Sequence, residues 1–319
     1  MAAVGYKGRA MTEPPAELAR VLDAAVAAAR DDAGGEPARY IPELANVDLG
    51  LTAAAVVRCD GSAAQAGDVA HRFTLQSSAK LLPLIGLLEE RGSQAVFAKV
   101  GSEPSGDSFS SLARIDEHGP LPSNPFDNAG AIALCSMLEG NLEDRIAWME
   151  RWTERLYGVR LDIHQRVMFS ERRTGDRNRS IAYLLKSNGV LDGDVERVLE
   201  TYFALCSFEA TVAEAARLPA MLAHGGLAPG SGERVVSRET AACVVALMAT
   251  TGMYDESGTH LRETGLPAKS GVSGVIVAVA PRLGGIAVFG PRVNAKGGSV
   301  RGHRMLRQLA RSLDWHFAF

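Results

Sequence analysis

The stretch His71-Arg72-Phe73-Thr74-Leu75-Gln76-Ser77-Ser78-Ala79-Lys80 changes period midway. Up to Gln76 it reads as a short strand, and from Ser78 a helix runs to Glu90 despite Pro83, with Gly92 closing it. Ser77 and Lys80 stand three apart where the strand gives way to the helix. At that spacing two side chains share a helical face, with β-carbons about 5–6 Å apart. A neutral lysine amine there takes the hydroxyl proton of Ser77 and makes the oxygen a nucleophile. An ordinary lysine ionises near pKa ~10.4, so such a site has to favour the uncharged amine. Alone, Ser-x-x-Lys is a weak signal, because chance matches are common.

Outward from this stretch, strands fall towards both chain ends and helices fill the middle. Upstream, Ala16–Arg30 reads as a helix ended by Asp31–Gly35 and Thr52–Arg58 as a strand. Gly61 supplies a hairpin turn, with the second strand near Ala70–Gln76. Downstream, helices are expected at Ala129–Leu138, Leu142–Leu156, Arg179–Ser187, Asp194–Leu205, Val212–His224 and Ser237–Thr250. Strands return at Val272–Ala280 and Gly284–Phe289, joined by the turn Pro281–Gly284, and a helix over Ser299–Trp315 ends the chain. The layout predicts an α+β fold: an antiparallel sheet built from both chain ends, flanked by helices, with an all-helical domain inserted. The expected division is a leader or disordered N-terminus over residues 1–15, a sheet domain of 16–92 and 251–319, and a mainly helical domain of 93–250. Met11 offers an alternative start, with Met1–Ala10 then a leader.

The bulk properties narrow the function classes. The 319 residues are 46% hydrophobic and 22% charged, an ordinary globular composition that excludes disorder, collagen and coiled coil. With 34 basic against 37 acidic side chains the formal charge is −3, so neither nucleic acid nor an anionic membrane is an expected partner. No apolar run approaches the roughly 18 residues of a membrane helix. The N-terminus has no apolar secretory core, and the four cysteines (Cys59, Cys135, Cys206, Cys243) form no Cys-x-x-Cys pair. Free thiols in a reducing, cytoplasmic compartment are expected. Phosphate-loop, dinucleotide, His-Glu-x-x-His and Gly-x-Ser-x-Gly patterns are absent, and the seven histidines are scattered. No metal or organic cofactor is expected. The run Glu171–Arg177 mixes both signs and reads as a solvated loop.

A second motif joins the first. Leu266-Pro267-Ala268-Lys269-Ser270-Gly271-Val272 heads the late strand. A Lys-Ser-Gly on an edge strand beside a Ser-x-x-Lys helix follows the spacing logic of penicillin-recognising serine hydrolases. Backbone N–H groups of Ser77 and Val272 then form an oxyanion hole. By itself, Lys269 is a loop lysine before a flexible strand start.

Longer phrases carry a closer resemblance: Tyr40-Ile41-Pro42-Glu43-Leu44-Ala45, Gln76-Ser77 with Lys80, Gly101 to Gly106 as GSEPSG, Asn124-Pro125, and Asn128-Ala129-Gly130-Ala131-Ile132. Ser170-Glu171, Asn178, Cys206-Ser207, Gly252-Met253-Tyr254-Asp255 and Gly265 to Val272 as GLPAKSGV continue them in order. From about Tyr40 to His303 the chain resembles the serine-dependent glutaminases of the β-lactamase-like superfold. The resemblance implies hydrolysis of L-glutamine to L-glutamate and ammonia by a homodimer or homotetramer. It implies Ser77 as nucleophile, Lys80 as general base, and Val272 N–H beside that of Ser77 against the oxyanion. Tyr40, Asn128, Glu171, Asn178, Tyr202 and Tyr254 match the substrate shell, with Tyr254 and Tyr202 also placed to pass protons and Lys269 in support.

Each shell residue also has a plainer reading. A tyrosine at a loop edge packs, Asn128 before a helix serves as a cap, and Glu171 pairs with Arg172 or Arg173 at the surface. Departures from the family pattern are the S-S-A-K wording around Lys80, Thr251 where a cysteine is usual, Ser273-Gly274-Val275 at the strand start, and the added carboxylate in Asp255-Glu256-Ser257. Two rival functions remain: a β-lactam or peptide hydrolase of the same superfold, and a non-catalytic amino-acid-binding homologue.

Overall fold

The computed structural model describes residues 15–105 and 119–318. The expected leader (up to residue 14) and part of the turn-rich segment after Gly101 (residues 106–118) lie outside the described residues. The helices in chain order are α1 (Pro15–Arg30), α2 (Pro42–Ala45), α3 (Leu81–Phe97), α4 (Asn128–Ser136), α5 (Leu142–Tyr157), α6 (Gln165–Thr174), α7 (Asp176–Ser187), α8 (Val195–Cys206), α9 (Val212–Ala223), α10 (Arg238–Thr251), α11 (Ser257–Thr264) and α12 (Val300–Ser312). The strands are β1 (Ala53–Arg58), β2 (Ala63–Gly67), β3 (Phe73–Thr74), β4 (Glu209–Ala210), β5 (Ala268–Gly271), β6 (Val275–Ala280) and β7 (Gly284–Phe289).

Five strands form one sheet in the order β2-β1-β7-β6-β5, every neighbour antiparallel. Both chain ends build it, as the pattern predicts. Alternation along each strand sends side chains to opposite faces, and here both faces are covered. Ala53, Ala55 and Val57 of β1, with Val275, Val277 and Val279 of β6, join the core that contains α9 and the helices of the middle segment. Ala54 and Val56, with Ile276, Ala278 and Ala280, join a second core under Leu18 and Leu22 of α1 and Met305, Leu306 and Leu309 of α12. This is why β1, β6 and β7 read as continuous apolar runs. Each fully buried Val or Leu contributes about 1.5–3 kcal/mol, so the central strands are held from both sides.

The differences from the sequence reading have local causes. The hairpin partner of β1 is β2 and begins two residues after Gly61, not near Ala70. Asp60 Oδ1 accepts from the Ser62 N–H at 2.8 Å and closes the turn tightly. Its sequence, AAQAG, has no β-branched residue to announce a strand, and it lies on an edge. The strand expected at Ala70–Gln76 is only β3, which pairs with β4 in a separate two-stranded sheet. Gly92, with φ 77°, breaks α3 without ending it. The expected strand Val272–Ala280 begins only at Val275 as β6, because Val272–Gly274 is the turn of a hairpin with β5 just upstream. The run Glu171–Arg177 is not a loop, because it spans the end of α6 and the start of α7.

Two contacts aim the segment that carries Ser77. Phe73 stacks on Phe289 of β7 with ring centroids 4.6 Å apart. The Leu75 N–H donates to the Phe208 carbonyl at 2.7 Å, tying the segment to the residues just after α8. The end of β5 approaches from the other side. A β-carbon on Gly271 would lie 2.4 Å from the Leu75 carbonyl oxygen, so this crossing admits only glycine.

Candidate active site

Gln76–Lys80 forms a 3-10 turn that runs directly into α3. Leu81, Leu82, Leu84 and Ile85 are fully buried, which anchors the turn in the core. The turn's ladder opens with the Ser78 N–H donating to the Leu75 carbonyl at 3.0 Å, so the Ser77 N–H precedes it and keeps no helical partner. Gln76, just before the nucleophile candidate, has φ 49°, and Tyr254 has φ 55°. A non-glycine residue in that region costs about 1–3 kcal/mol and persists only where its surroundings over-determine it.

Lys80 is fully buried. Its Nζ donates to the Phe126 carbonyl at 2.8 Å and to Asn128 Oδ1 at 2.8 Å, and lies 3.4 Å from the Tyr254 hydroxyl. Burial pulls its pKa down to about 8, with Cys206 and Asp127 acting in the opposite direction. Lys269, on edge strand β5, is equally buried, donates to the Ser270 carbonyl at 2.9 Å and sits 4.1 Å from the Tyr254 ring centroid. Burial, and then the neighbouring Lys80, push the Lys269 amine well below its ordinary value. Burial raises the pKa of the Tyr254 hydroxyl, and the neighbouring Ser77 acts in the opposite direction.

Above these amines lies a cavity of about 290 Å³. Tyr40, Ser77, Asn128, Glu171, Asn178, Tyr202, Tyr254 and Val272 all line it, so the sequence-predicted shell converges from loops and from α4, α6, α7 and α8. Lys80 and Lys269 lie beneath rather than on its surface. Asn128 is no cap: Asp127 holds that position, and the Asn128 amide donates to Asn178 Oδ1 at 2.9 Å while its own oxygen accepts from Lys80. Glu171 is 4% exposed and accepts from the Tyr40 hydroxyl at 2.8 Å, while Arg172 pairs with Glu200 instead. Burial pushes the Glu171 carboxyl up, against hydrogen bonds from Tyr40 and Gln76. Among the described residues no cationic side chain pairs with Glu171, and a ligand ammonium can complete a buried carboxylate of this kind.

Sequence reasoning assigned no role to several further lining residues. Gln76 Oε1 lies 2.5 Å from the Tyr40 hydroxyl and shares its one proton with Glu171, which the Gln76 side chain also meets. Cys206 accepts from Tyr202, and burial raises its thiol, leaving an inert packing group. Both occur in the matched phrases without chemistry of their own to flag them. Thr174, Gly175, Arg177, Ser270, Lys296 and Gly297 complete the lining. Among the described residues, no group of three or more His, Cys, Asp or Glu side chains is placed to hold a metal ion.

The antiparallel sheet flanked by helices is the β-lactamase-like fold, and in it a serine at the head of a core helix, a buried lysine one turn on and a second lysine on the neighbouring edge strand come together at one cavity. Comparison narrows the class: the sequence profile of the Glutaminase family matches residues 35–317. A glutaminase of Legionella pneumophila (strain Paris) is 51% identical over 300 residues, covering 94% of this chain and 97% of the relative. A glutaminase of Clostridium tetani is 41% identical over 283 residues, covering 88% and 92%. Among solved structures, a probable glutaminase, ybaS, superposes with TM-score 0.91 at 38% identity, covering 95% of this chain and 98% of that one. A structure of Mglu in its glutamate form gives TM-score 0.91 at 34% identity, covering 96% and 70%. The chain belongs to the glutaminase family.

Proposed function

We propose that the protein hydrolyses L-glutamine to L-glutamate and ammonia through a γ-glutamyl ester on Ser77. The Ser77 proton passes to Lys80, with the Tyr254 hydroxyl as relay, and Ser77 Oγ attacks the side-chain amide carbon. The Ser77 and Val272 N–H groups receive the oxyanion. The proton returns to the leaving nitrogen, which departs as ammonia, and water cleaves the ester by the reverse route. Asn128, Asn178 and Tyr202 hold the amino-acid head group, and Glu171, supported by Tyr40, receives its α-ammonium. The observation that carries this reading is the Tyr254 hydroxyl, beside Ser77 and 3.4 Å from the buried Lys80 amine, at a cavity that the buried Glu171 carboxyl also lines.

Ammonia release from L-glutamine tests it, together with labelling by 6-diazo-5-oxo-L-norleucine, a glutamine-shaped electrophile. One adduct per chain on Ser77 is expected. An adduct on any of the four cysteines would replace the serine mechanism with thiol chemistry.

The unit is proposed to be a homodimer or homotetramer. The four thiols are unpaired, which supports a cytoplasmic location. No helix of the described residues is long and apolar enough to cross a membrane. The division into a sheet unit (16–92 with 251–319) and a helical unit (93–250) is likewise a proposal. Within the latter span, α9 packs on β1, β6 and β7.

A further inference from the structure

Tyr254 belongs to the one-turn helix Tyr254–Glu256, and the cavity wall near it is a second turn that contributes Lys296 and Gly297. Two side-chain contacts join these irregular segments. Lys296 pairs with Asp255 at 3.0 Å, an exposed contact worth little in water. The other contact is better sheltered: Glu256 Oε1 accepts from Asn294 Nδ2 at 2.9 Å. Asn294 is the internal brace of its own turn, because its Oδ1 accepts the N–H groups of Lys296 at 2.9 Å and Gly298 at 3.0 Å. Its backbone N–H donates to the Gly298 carbonyl at 2.8 Å.

The other carboxylate oxygen of Glu256 lies 3.8 Å from Nε2 of His303 on α12, and the His303 ring meets that of buried His260 at 3.5 Å between Nδ1 atoms. The backbone yields space to this group. A β-carbon on Gly298 would lie 2.7 Å from both Glu256 Oε2 and His303 Nε2. Burial pushes the Glu256 carboxyl up, but His303 and the Asn294 hydrogen bond outweigh it and hold the group ionised.

We propose that Glu256 is a positioning residue, which through Asn294 fixes the distance between Tyr254 and the Lys296–Gly297 wall and so sets the fit of the substrate. The proposal rests on the glutaminase reading of this cavity. Asn294 carries both the bonds that close the 294–298 turn and the bond to Glu256, so without Glu256 the turn loosens and moves relative to Tyr254. The Tyr254 turn keeps independent supports: Ser257 Oγ accepts from the Met253 N–H at 3.0 Å and donates to the Tyr254 carbonyl at 2.8 Å. Removing Glu256 therefore loosens substrate fit more than proton transfer.

The test compares wild type, Glu256→Ala, Glu256→Gln, Asn294→Ala and the double alanine variant. The expected result is a KM for L-glutamine raised about tenfold in either alanine variant, with kcat within about threefold. The double variant should be no worse than either single one. Glu256→Gln keeps an acceptor for Asn294 and should recover most of the KM. Hydrogen exchange of the 294–298 amides should quicken in Glu256→Ala and stay slow in Glu256→Gln, a readout that needs no turnover. Unchanged KM and exchange in Glu256→Ala, or equal losses in the alanine and glutamine variants, would overturn the positioning role. Absence of ammonia release by wild type would instead overturn the glutaminase reading, while the exchange result still decides whether Glu256 holds the turn.

Discussion

The phenol oxygen of Tyr254 stands 3.4 Å from Nζ of Lys80, and the same hydroxyl lies beside Ser77 in one cavity. One oxygen thus stands next to both the proposed nucleophile and the proposed base. Tyr254→Phe removes that oxygen and keeps the ring against Lys269. Since a positioned proton-transfer group is worth about 10²–10⁴ in rate, kcat should fall by that factor with little change in KM. Initial-rate kinetics decide it. A phenylalanine variant at wild-type kcat would mean that Lys80 takes the Ser77 proton without a relay.

Ser77→Ala should abolish turnover while the protein still melts as a single folded species, because only a half-buried hydroxyl is lost. Lys80 is fully buried, so Lys80→Met is the better probe than a cavity-forming alanine. Each should cost about 10³-fold or more, and the double variant about as much as either alone, since the two act as a unit. Additive losses would separate their roles.

The buried position of Lys80 also fixes the sign of the pH dependence. Its pKa is drawn down to about 8, and the proposed base is the uncharged amine. Below that value protonation removes the base, so log kcat/KM should rise by about one per pH unit and level off above about pH 8. A plateau already reached at pH 6 would assign the base to another group.

The segment around Ser77 was legible because its motif coincides with a change of period: a strand-like approach, Ser-x-x-Lys, then the apolar start of α3. The central strands were legible because both faces are buried. Helix α6 was hidden by function. Its buried positions are Val167, Met168, Ser170 and Glu171, a helical face whose last two members are polar because the cavity lies beside them. A serine and a glutamate followed by two arginines resemble a solvated loop. The cap offered no help either, since it is His164, whose Nδ1 accepts from the Val167 N–H at 3.2 Å. Gln76 was hidden differently, as its left-handed backbone leaves no trace in residue type. Strand β2 lacks any β-branched residue, and only its partner strand reveals it.

Glu171 carries the most specific consequence for substrate choice. Its carboxylate is buried, and Tyr40 and Gln76 occupy part of its hydrogen-bonding capacity. A carboxylate offers about four lone-pair sites, so room remains for an ammonium donor. A hydrogen bond to a charged group contributes about 1.5–3 kcal/mol. Glu171→Gln should therefore lower kcat/KM for L-glutamine by about 10- to 150-fold. L-asparagine presents the same head group, but its amide carbon stops one methylene short of Ser77. Held by the same clamp, it should bind and react poorly through misplacement. N-acetyl-L-glutamine keeps the full reach and loses the ammonium, so wild type should discriminate against it and Glu171→Gln should discriminate far less. Steady-state rates for the three compounds with the two proteins give the comparison. Equal hydrolysis of glutamine and N-acetyl-glutamine by wild type would mean that the α-ammonium is not read, leaving Glu171 as a support for Tyr40 alone.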